Sequence, residues 1–324
     1  MTASRQPLAV ATAPGKLILL GEHAVVHGQP ALAVPARSVG VTATVWPHGD
    51  ALVVETQFPP ESGRPARTVR LAEEDEACAM GAAVRATLES VRGPGSDLPR
   101  WRIALSSTVP VGSGMGSSAA VAVALVRAVG LAAGARLSDA AVAELALAAE
   151  RRTHGTPSGI DNTVVALDCP LRFQGGRGVA VSVARELHVL IGDSGAMGLT
   201  RQMVAAVGAR RASRRADTDA LLLRIGELVD GAVTALAAGN GAELGRLMSA
   251  NHELLAALGV STPVLDRLVR AARRSGALGA KLSGAGGGGV MIALVESDVA
   301  QGVARALEDA GAARVLATSI LAVP

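Results

Sequence analysis

The chain has 324 residues, 49% of them hydrophobic and 18% charged, with a net charge of +3. That much apolar material excludes global disorder, and the length suggests two domains. Aromatic residues make up only 1%, with no Tyr, which argues against nucleic-acid readers that stack bases on aromatic rings.

The Arg pairs are scattered along the chain, so the mild positive excess suits a phosphate-bearing small ligand as well as any polymer. The opening stretch MTASRQPLAVATAPGK holds too short an apolar run for a secretion signal. Residues 103–126 carry no charge, but Pro110 and several Gly and Ser interrupt them, so they do not read as a membrane span. A cytoplasmic location follows by default. Cys78 and Cys169 lie too far apart for a zinc spacing or a disulfide framework, and read as ordinary thiols in a reducing compartment.

In chain order, residues 17–20 are strand-like. Residues 38–46 (SVGVTATVW) alternate apolar and small polar side chains, the period of a strand. Residues 51–55 and 101–106 are further strands, and 59–65 reads as a loop. The Ala-, Val- and Leu-rich stretch 117–133 predicts a buried helix. A second helix is expected over 139–152, with Ser138 as its N-cap and Gly155 beyond its end. The Gly-, Pro- and Arg-containing stretch 169–178 marks the domain boundary, giving domains 1–172 and 173–324.

Beyond it, a strand of about twelve residues ends at Gly192-Asp193. Helices follow over 219–238, 242–258 and 263–275, then a glycine-rich run over 276–283 and the apolar strand 290–295. Ser297 is placed as the cap of a last helix reaching about residue 310, and 314–323 closes the chain as a strand. Short strands mixed with long helices in both halves suggest two α+β layers, not a doubly wound sheet.

Three glycine-bearing segments carry the chemistry. The first, APGKLILLGEHAVVHGQPALA (13–33), places Lys16 after a turn. It is not a Walker A loop, because Leu17 stands where Ser or Thr is required. The second, VPVGSGMGSSAA (109–120), runs a Gly/Ser loop into an apolar helix. Small residues let backbone approach an anion, and a helix N-terminus offers unpaired N–H groups with about half a positive charge. Ser117 and Ser118 stand where they can cap that helix, and one hydroxyl can also reach a Mg²⁺ ion. Gly112, Gly114 and Gly116 together are more glycine than a cap needs. The third, KLSGAGGGGV (281–290), formally matches G-x-G-x-x-G over 284–289. It precedes a strand, VMIALV, whereas a dinucleotide fingerprint opens a helix, so the Rossmann reading is rejected.

Two acids complete the set. Glu150 lies near the end of an otherwise apolar helix and is either solvated or a metal ligand. Asp161, in HGTPSGIDN, is either an N-cap or a base. His154 reads more simply as a structural histidine. A phosphate-cradling loop, a lysine and two acids are the parts of a phosphoryl-transfer site. One acid would hold Mg²⁺ through oxygen, and the other would accept a hydroxyl proton. The lysine would favour the developing alkoxide.

On these three segments, which span residues 13–290 in order, the chain resembles the GHMP kinases. Its PGKLILLGEHAVVHGQPALA, ERRTHGTPSGIDN and NHELLAALGVS are most similar to the branch that phosphorylates mevalonate. The resemblance implies an N-terminal α+β domain with a left-handed βαβ unit and a ferredoxin-like C-terminal domain. It further implies ATP as co-substrate, Mg²⁺ as cofactor and a homodimer, with no nucleic-acid or membrane partner.

By the same resemblance Asp161 is the base and Lys16 contacts it and the reacting oxygen. Ser118 and Glu150 hold Mg²⁺. Gly112, Ser113, Gly114, Met115, Gly116, Ser117 and Ser118 wrap the ATP phosphates, Ser107 contacts nucleotide, and Glu22 and His23 line the acceptor end. Gly284 to Gly288 support the phosphate loop. Met115 stands where Leu is frequent and Thr156 where Asn is common in animal enzymes. No adenine contact is assigned over 46–65.

Rival readings are a GHMP kinase for phosphomevalonate, homoserine or another small alcohol, and a catalytically silent relative. The silent relative should have lost Lys16, Glu150 or Asp161. A dinucleotide oxidoreductase rests on 284–289 alone.

Overall fold

The computed structural model describes residues 6–49, 51–57, 67–70, 79–110, 112–154 and 158–323, with 67–70 and 152–154 described by backbone alone. Cys78, the expected loop over 59–65, and Gly155, Thr156 and Pro157 lie outside the described residues.

The chain forms two compact units that interleave in sequence. One takes the segment ending at Gly15, then Val39–Pro110 and Gly116–Asp168. The other takes Lys16–Ser38, Val111–Met115 and Cys169–Pro324. The sequence suggests a single cut after residue 172; in this division two earlier segments, one of which carries Lys16 to His23, go with the C-terminal unit.

In the first unit the C-terminal part of β2 (Ala31–Pro47) pairs antiparallel with β5 (Trp101–Ser107), from Val41↔Ser107 to Pro47↔Trp101. β5 pairs parallel with β3 (Val53–Gln57), and β3 pairs antiparallel with β4 (Arg67–Arg70). The β3–β5 crossover through α1 (Ala79–Arg92) is a βαβ unit. The period-two reading of 38–46 holds: Val39, Val41, Ala43 and Val45 are all buried.

α1 packs with α2 (Ser117–Ala132) and α3 (Asp139–His154), and both of these pack with α4 (Ile160–Leu167). α2 is nearly all Ala, Val and Leu and is buried on most of its circumference, as its composition requires. One side chain ties its neighbours: Arg127 of α2 donates to Thr12 O at 3.0 Å, Ala166 O at 2.7 Å and Asp139 Oδ1 at 3.0 Å. The Ser138 hydroxyl accepts from Ala141 N at 3.2 Å, so it caps α3 as expected.

In the second unit β2 residues 31–33 pair with β6 (Leu171–Gln174), which pairs with β7 (Arg177–Ala180). The stretch 169–178, expected as a boundary, is therefore mostly a hairpin. Gly175 and Gly176, at φ 59° and 81°, supply the two left-handed positions its turn demands.

A second sheet has the order β11 (Arg314–Ile320), β8 (Leu187–Asp193), β10 (Val290–Val295), β9 (Gly279–Ser283), all antiparallel. Numbered within the unit this order is 4-1-3-2, the ferredoxin-like arrangement. β8 has seven residues where a longer strand is expected. Its sheet is covered by α7 (Gly241–Leu258), α8 (Pro263–Arg274) and α9 (Ala300–Asp309). α7 in turn packs on α6 (Arg215–Ala237), and α6 on α5 (Thr200–Ser213). The core joins Leu222, Ile225, Leu255, Leu268, Leu282, Met291 and Leu307. α9 starts at Val299 with no side-chain cap, so Ser297 does not cap it.

Candidate active site

In the first unit, helix α2 opens on Gly116, a left-handed N-cap at φ 74°, with no side chain bonded to its first turn. Ser117 and Ser118 therefore occupy the first helical positions and do not cap, and the leading N–H groups are free of an intrahelical partner. Ser118 is exposed and Ser117 half-buried. Gly112 and Gly114, which belong to the second unit, are left-handed at φ 72° and 78°, a conformation that only glycine adopts without strain. The Ser107 hydroxyl accepts from Val109 N at 3.2 Å.

Helix α4 begins the same way. Gly159 is its N-cap at φ 84°, so Asp161 sits in the first turn and is not the cap. The first turn of a helix favours a negative charge. The next residue, Asn162, is 1% exposed and donates from Nδ2 to Glu150 Oε2 of α3 at 2.6 Å. The residue next to the base candidate thus holds the metal-ligand candidate. Asn162 is not among the residues the sequence singles out, although it stands beside Asp161.

In the second unit three loops are stitched together. Gly198 N donates to Gly112 O at 2.7 Å, Gly289 N to Ala196 O at 2.7 Å, and Ser194 N to Gly289 O at 2.9 Å. A Cβ on Gly289 would lie 2.7 Å from Ser113 O, so the third glycine segment packs directly beneath residues 112–115. Lys16 is 5% exposed, and its N–H donates to Met115 O at 2.9 Å. Ser283 grips β1 (Ala9–Leu20) two residues further on: Ile18 N donates to Ser283 Oγ at 3.0 Å, and that hydroxyl donates to Ile18 O at 3.0 Å.

Glu22 and His23 follow β1 closely. Both are buried, at 3% and 5% exposure. His23 holds a left-handed backbone at φ 61°, a strained state for a residue with a Cβ. Its Nε2 lies 2.8 Å from Ala285 O, so Nε2 carries the proton and Nδ1 is an acceptor. Among the described residues that buried Nδ1 has no hydrogen-bond partner.

Glu22, expected at the acceptor end, is held by two side chains from the C-terminal half of the chain. Its Oε1 pairs with Lys281 Nζ, and its Oε2 accepts from Asn251 Nδ2 at 2.9 Å. Lys281 is 0% exposed. Sequence reasoning passes over Lys281 and Asn251; a lysine inside the otherwise apolar GAKLS is the only local signal of a buried pair.

Burial pushes the His23 imidazole below its ordinary value near 6.5, opposed by the Ala285 carbonyl and by Glu22. Burial also lowers His252, opposed by Asp266 and reinforced by Lys281. Leu282 N donates to His252 Nδ1 at 3.4 Å, leaving Nε2–H for Asp266 Oδ1 at 3.3 Å. Burial, with Arg211 nearby, lowers His27 too. Below pH about 6.5 the unfolded chain therefore binds more protons than the folded one, and stability is lost as pH falls. The thermal midpoint is expected to drop between pH about 7.5 and 5.5, and to drop less in a His252→Gln variant. A midpoint flat over that range contradicts the assignment.

Family descriptions match both halves: "GHMP kinases N terminal domain" over residues 78–168 and "GHMP kinases C terminal" over residues 232–313. The chain belongs to the GHMP kinases. Mevalonate kinase of Thermococcus onnurineus is 37% identical over 91% of this chain and 92% of its own. Mevalonate kinase of Pyrococcus horikoshii is 36% identical over 93% and 92%. The branch to which the chain belongs is thus that of the mevalonate kinases. The crystal structure of L. major mevalonate kinase in complex with R-mevalonate superposes with a TM-score of 0.82 at 27% identity, covering 98% of this chain and 99% of that one.

Proposed function

We propose that this kinase transfers the γ-phosphoryl group of ATP to the 5-hydroxyl of mevalonate, giving 5-phosphomevalonate and ADP. The observation that carries the reading is the pair of uncapped, glycine-led helix starts. One, at Gly116, leaves N–H groups for a phosphate, and the other, at Gly159, sets Asp161 in its first turn. The relatives named mevalonate kinase supply the acceptor.

In this reading Asp161 takes the proton of the acceptor hydroxyl as the O5–Pγ bond forms and the bond from Pγ to the β,γ-bridging oxygen breaks. ADP leaves, and no phosphoenzyme forms. Lys16 favours the developing alkoxide. Residues 112–118 hold the phosphates, Ser107 contributes to the nucleotide end, and His23 lines the acceptor end.

Mg²⁺ takes oxygen ligands and is held through one or two carboxylates plus substrate phosphates. The residues present fit it. Ser118 offers a hydroxyl and Glu150 a carboxylate, and the buried Oδ1 of Asn162 lacks a hydrogen-bond partner among the described residues. Among those residues no cluster of three His, Cys, Asp or Glu stands ready for a metal, which suits an ion held largely by substrate. When bound, Mg²⁺ supplies neutralising charge to the phosphates.

The same proposal places the enzyme in the cytoplasm as a homodimer. Among the described residues no helix is long and apolar enough to cross a membrane.

The test is ADP release over a panel of mevalonate, phosphomevalonate, homoserine and galactose. Mevalonate is expected to give a kcat/KM at least about tenfold above the others, the discrimination a site built to hydrogen-bond its substrate readily exceeds. A higher value for any other alcohol contradicts the reading.

A further inference from the structure

β9 is buried at every residue, and along it Lys281 and Ser283 point to the same face. Ser283 holds both the N–H and the carbonyl of Ile18. Lys281 Nζ donates to Ile18 O at 3.4 Å, to Leu282 O at 2.5 Å, and to Glu22 Oε1. Three donors are all an ammonium has, so Lys281 is fully satisfied. Asn251 Nδ2 holds the other oxygen of Glu22. Two adjacent β9 positions on one face thus grip the segment 18–22, which begins two residues after Lys16 and ends next to His23.

A buried ion pair is weak evidence for stability, because desolvation offsets most of the attraction. Here both side chains are essentially inaccessible, at 0% and 1% exposure. Burial drives Lys281 below its ordinary value, and Glu22 opposes that shift. What the pair does secure is position. His23 keeps a strained backbone, its Nε2 is held by Ala285 O, and among the described residues its Nδ1 is left as a free acceptor. A strained residue persists only where its surroundings over-determine it.

We propose that Lys281 is a positioning residue for the acceptor alcohol: by clamping Glu22 and Ile18 it holds His23 so that Nδ1 receives a hydrogen bond from a substrate hydroxyl. This rests on the reading of His23 as part of the acceptor site. Glu22 and Asn251 act in the same clamp and do not themselves touch substrate.

The test compares wild type, Lys281→Met and the double variant Glu22→Gln/Lys281→Met. KM for acceptor and for ATP, the thermal midpoint, and ¹⁵N imidazole shifts are read for each. Lys281→Met is expected to raise the acceptor KM by about tenfold or more, since a misplacement of about 1 Å can cost about 10²-fold. Its ATP KM stays within about twofold, and the Nε2–H tautomer of His23 gives way to a mixture.

The double variant removes the uncompensated carboxylate. It is expected to recover the thermal midpoint while its acceptor KM stays raised. It also decides the matter if Lys281→Met does not fold. An unchanged acceptor KM in folded Lys281→Met overturns the proposal. So does a double variant that recovers midpoint and KM together, the behaviour of a purely structural pair. If wild type phosphorylates a different alcohol, the mevalonate reading fails alone, and the KM comparison is made with that alcohol.

Discussion

Asp161→Asn is expected to lower kcat by about 10²- to 10⁴-fold, the range contributed by a positioned proton acceptor. The substitution keeps the shape of the side chain and removes only its ability to take a proton. Asp161 lies in the first turn of α4 behind the left-handed Gly159, so Asn fits the same backbone. Nucleotide affinity should stay within about twofold of wild type, because the glycines proposed to bind phosphate and the Glu150–Asn162 contact are untouched. Titration with a fluorescent ATP analogue, with and without Mg²⁺, separates the two effects. A variant that turns over at nearly the wild-type rate removes Asp161 from the role of base. A variant that loses nucleotide affinity and turnover together shows the residue acting on binding.

The second large effect concerns stability. At the crossing of α7 over β9 the backbones of Gly245 and Gly279 meet so closely that a Cβ on Gly279 would fall inside the Gly245 carbonyl. β9 carries Lys281 and Ser283 immediately beyond. Gly279→Ala is therefore expected to cost about 4 kcal/mol or more, the range kept for overpacking that backbone cannot relieve. Gly208→Ala and Gly302→Ala are the controls. Both sit inside helices with nothing within 4 Å of an added Cβ, and each should stabilise by about 0.4–1 kcal/mol. Thermal unfolding followed by circular dichroism reads all three. A Gly279→Ala midpoint equal to the controls would contradict the close crossing.

Local pattern made much of the fold legible. β2, β5, α2, α3, α7 and α8 all announce themselves by period or by composition, and the three glycine segments stand out because each needs backbone conformations or approaches that other residues resist. α5 was not legible: TRQMVAAVGARRAS has almost no apolar face, and only Val207 of it is buried. The 171–180 hairpin was hidden because its Gly175-Gly176 turn resembles linker composition.

Within the candidate site, the residues proposed for catalysis lie in short motifs and can be named from the sequence. The Glu22–Lys281–Asn251 cluster could not, because it joins side chains 259 and 229 positions apart, and neither period nor spacing records such pairings. The Asn162–Glu150 contact escaped notice for the same reason on a smaller scale: an asparagine after an aspartate carries no signal until the helix places it.

The central claim is that phosphate passes from ATP to one primary hydroxyl. The ³¹P NMR spectrum of the product formed from ATP and mevalonate tests it most directly. The account expects a new phosphomonoester resonance split into a triplet by the two protons of the adjoining methylene, growing in step with ADP. A resonance without that splitting, or ADP released with only inorganic phosphate beside it, would contradict it.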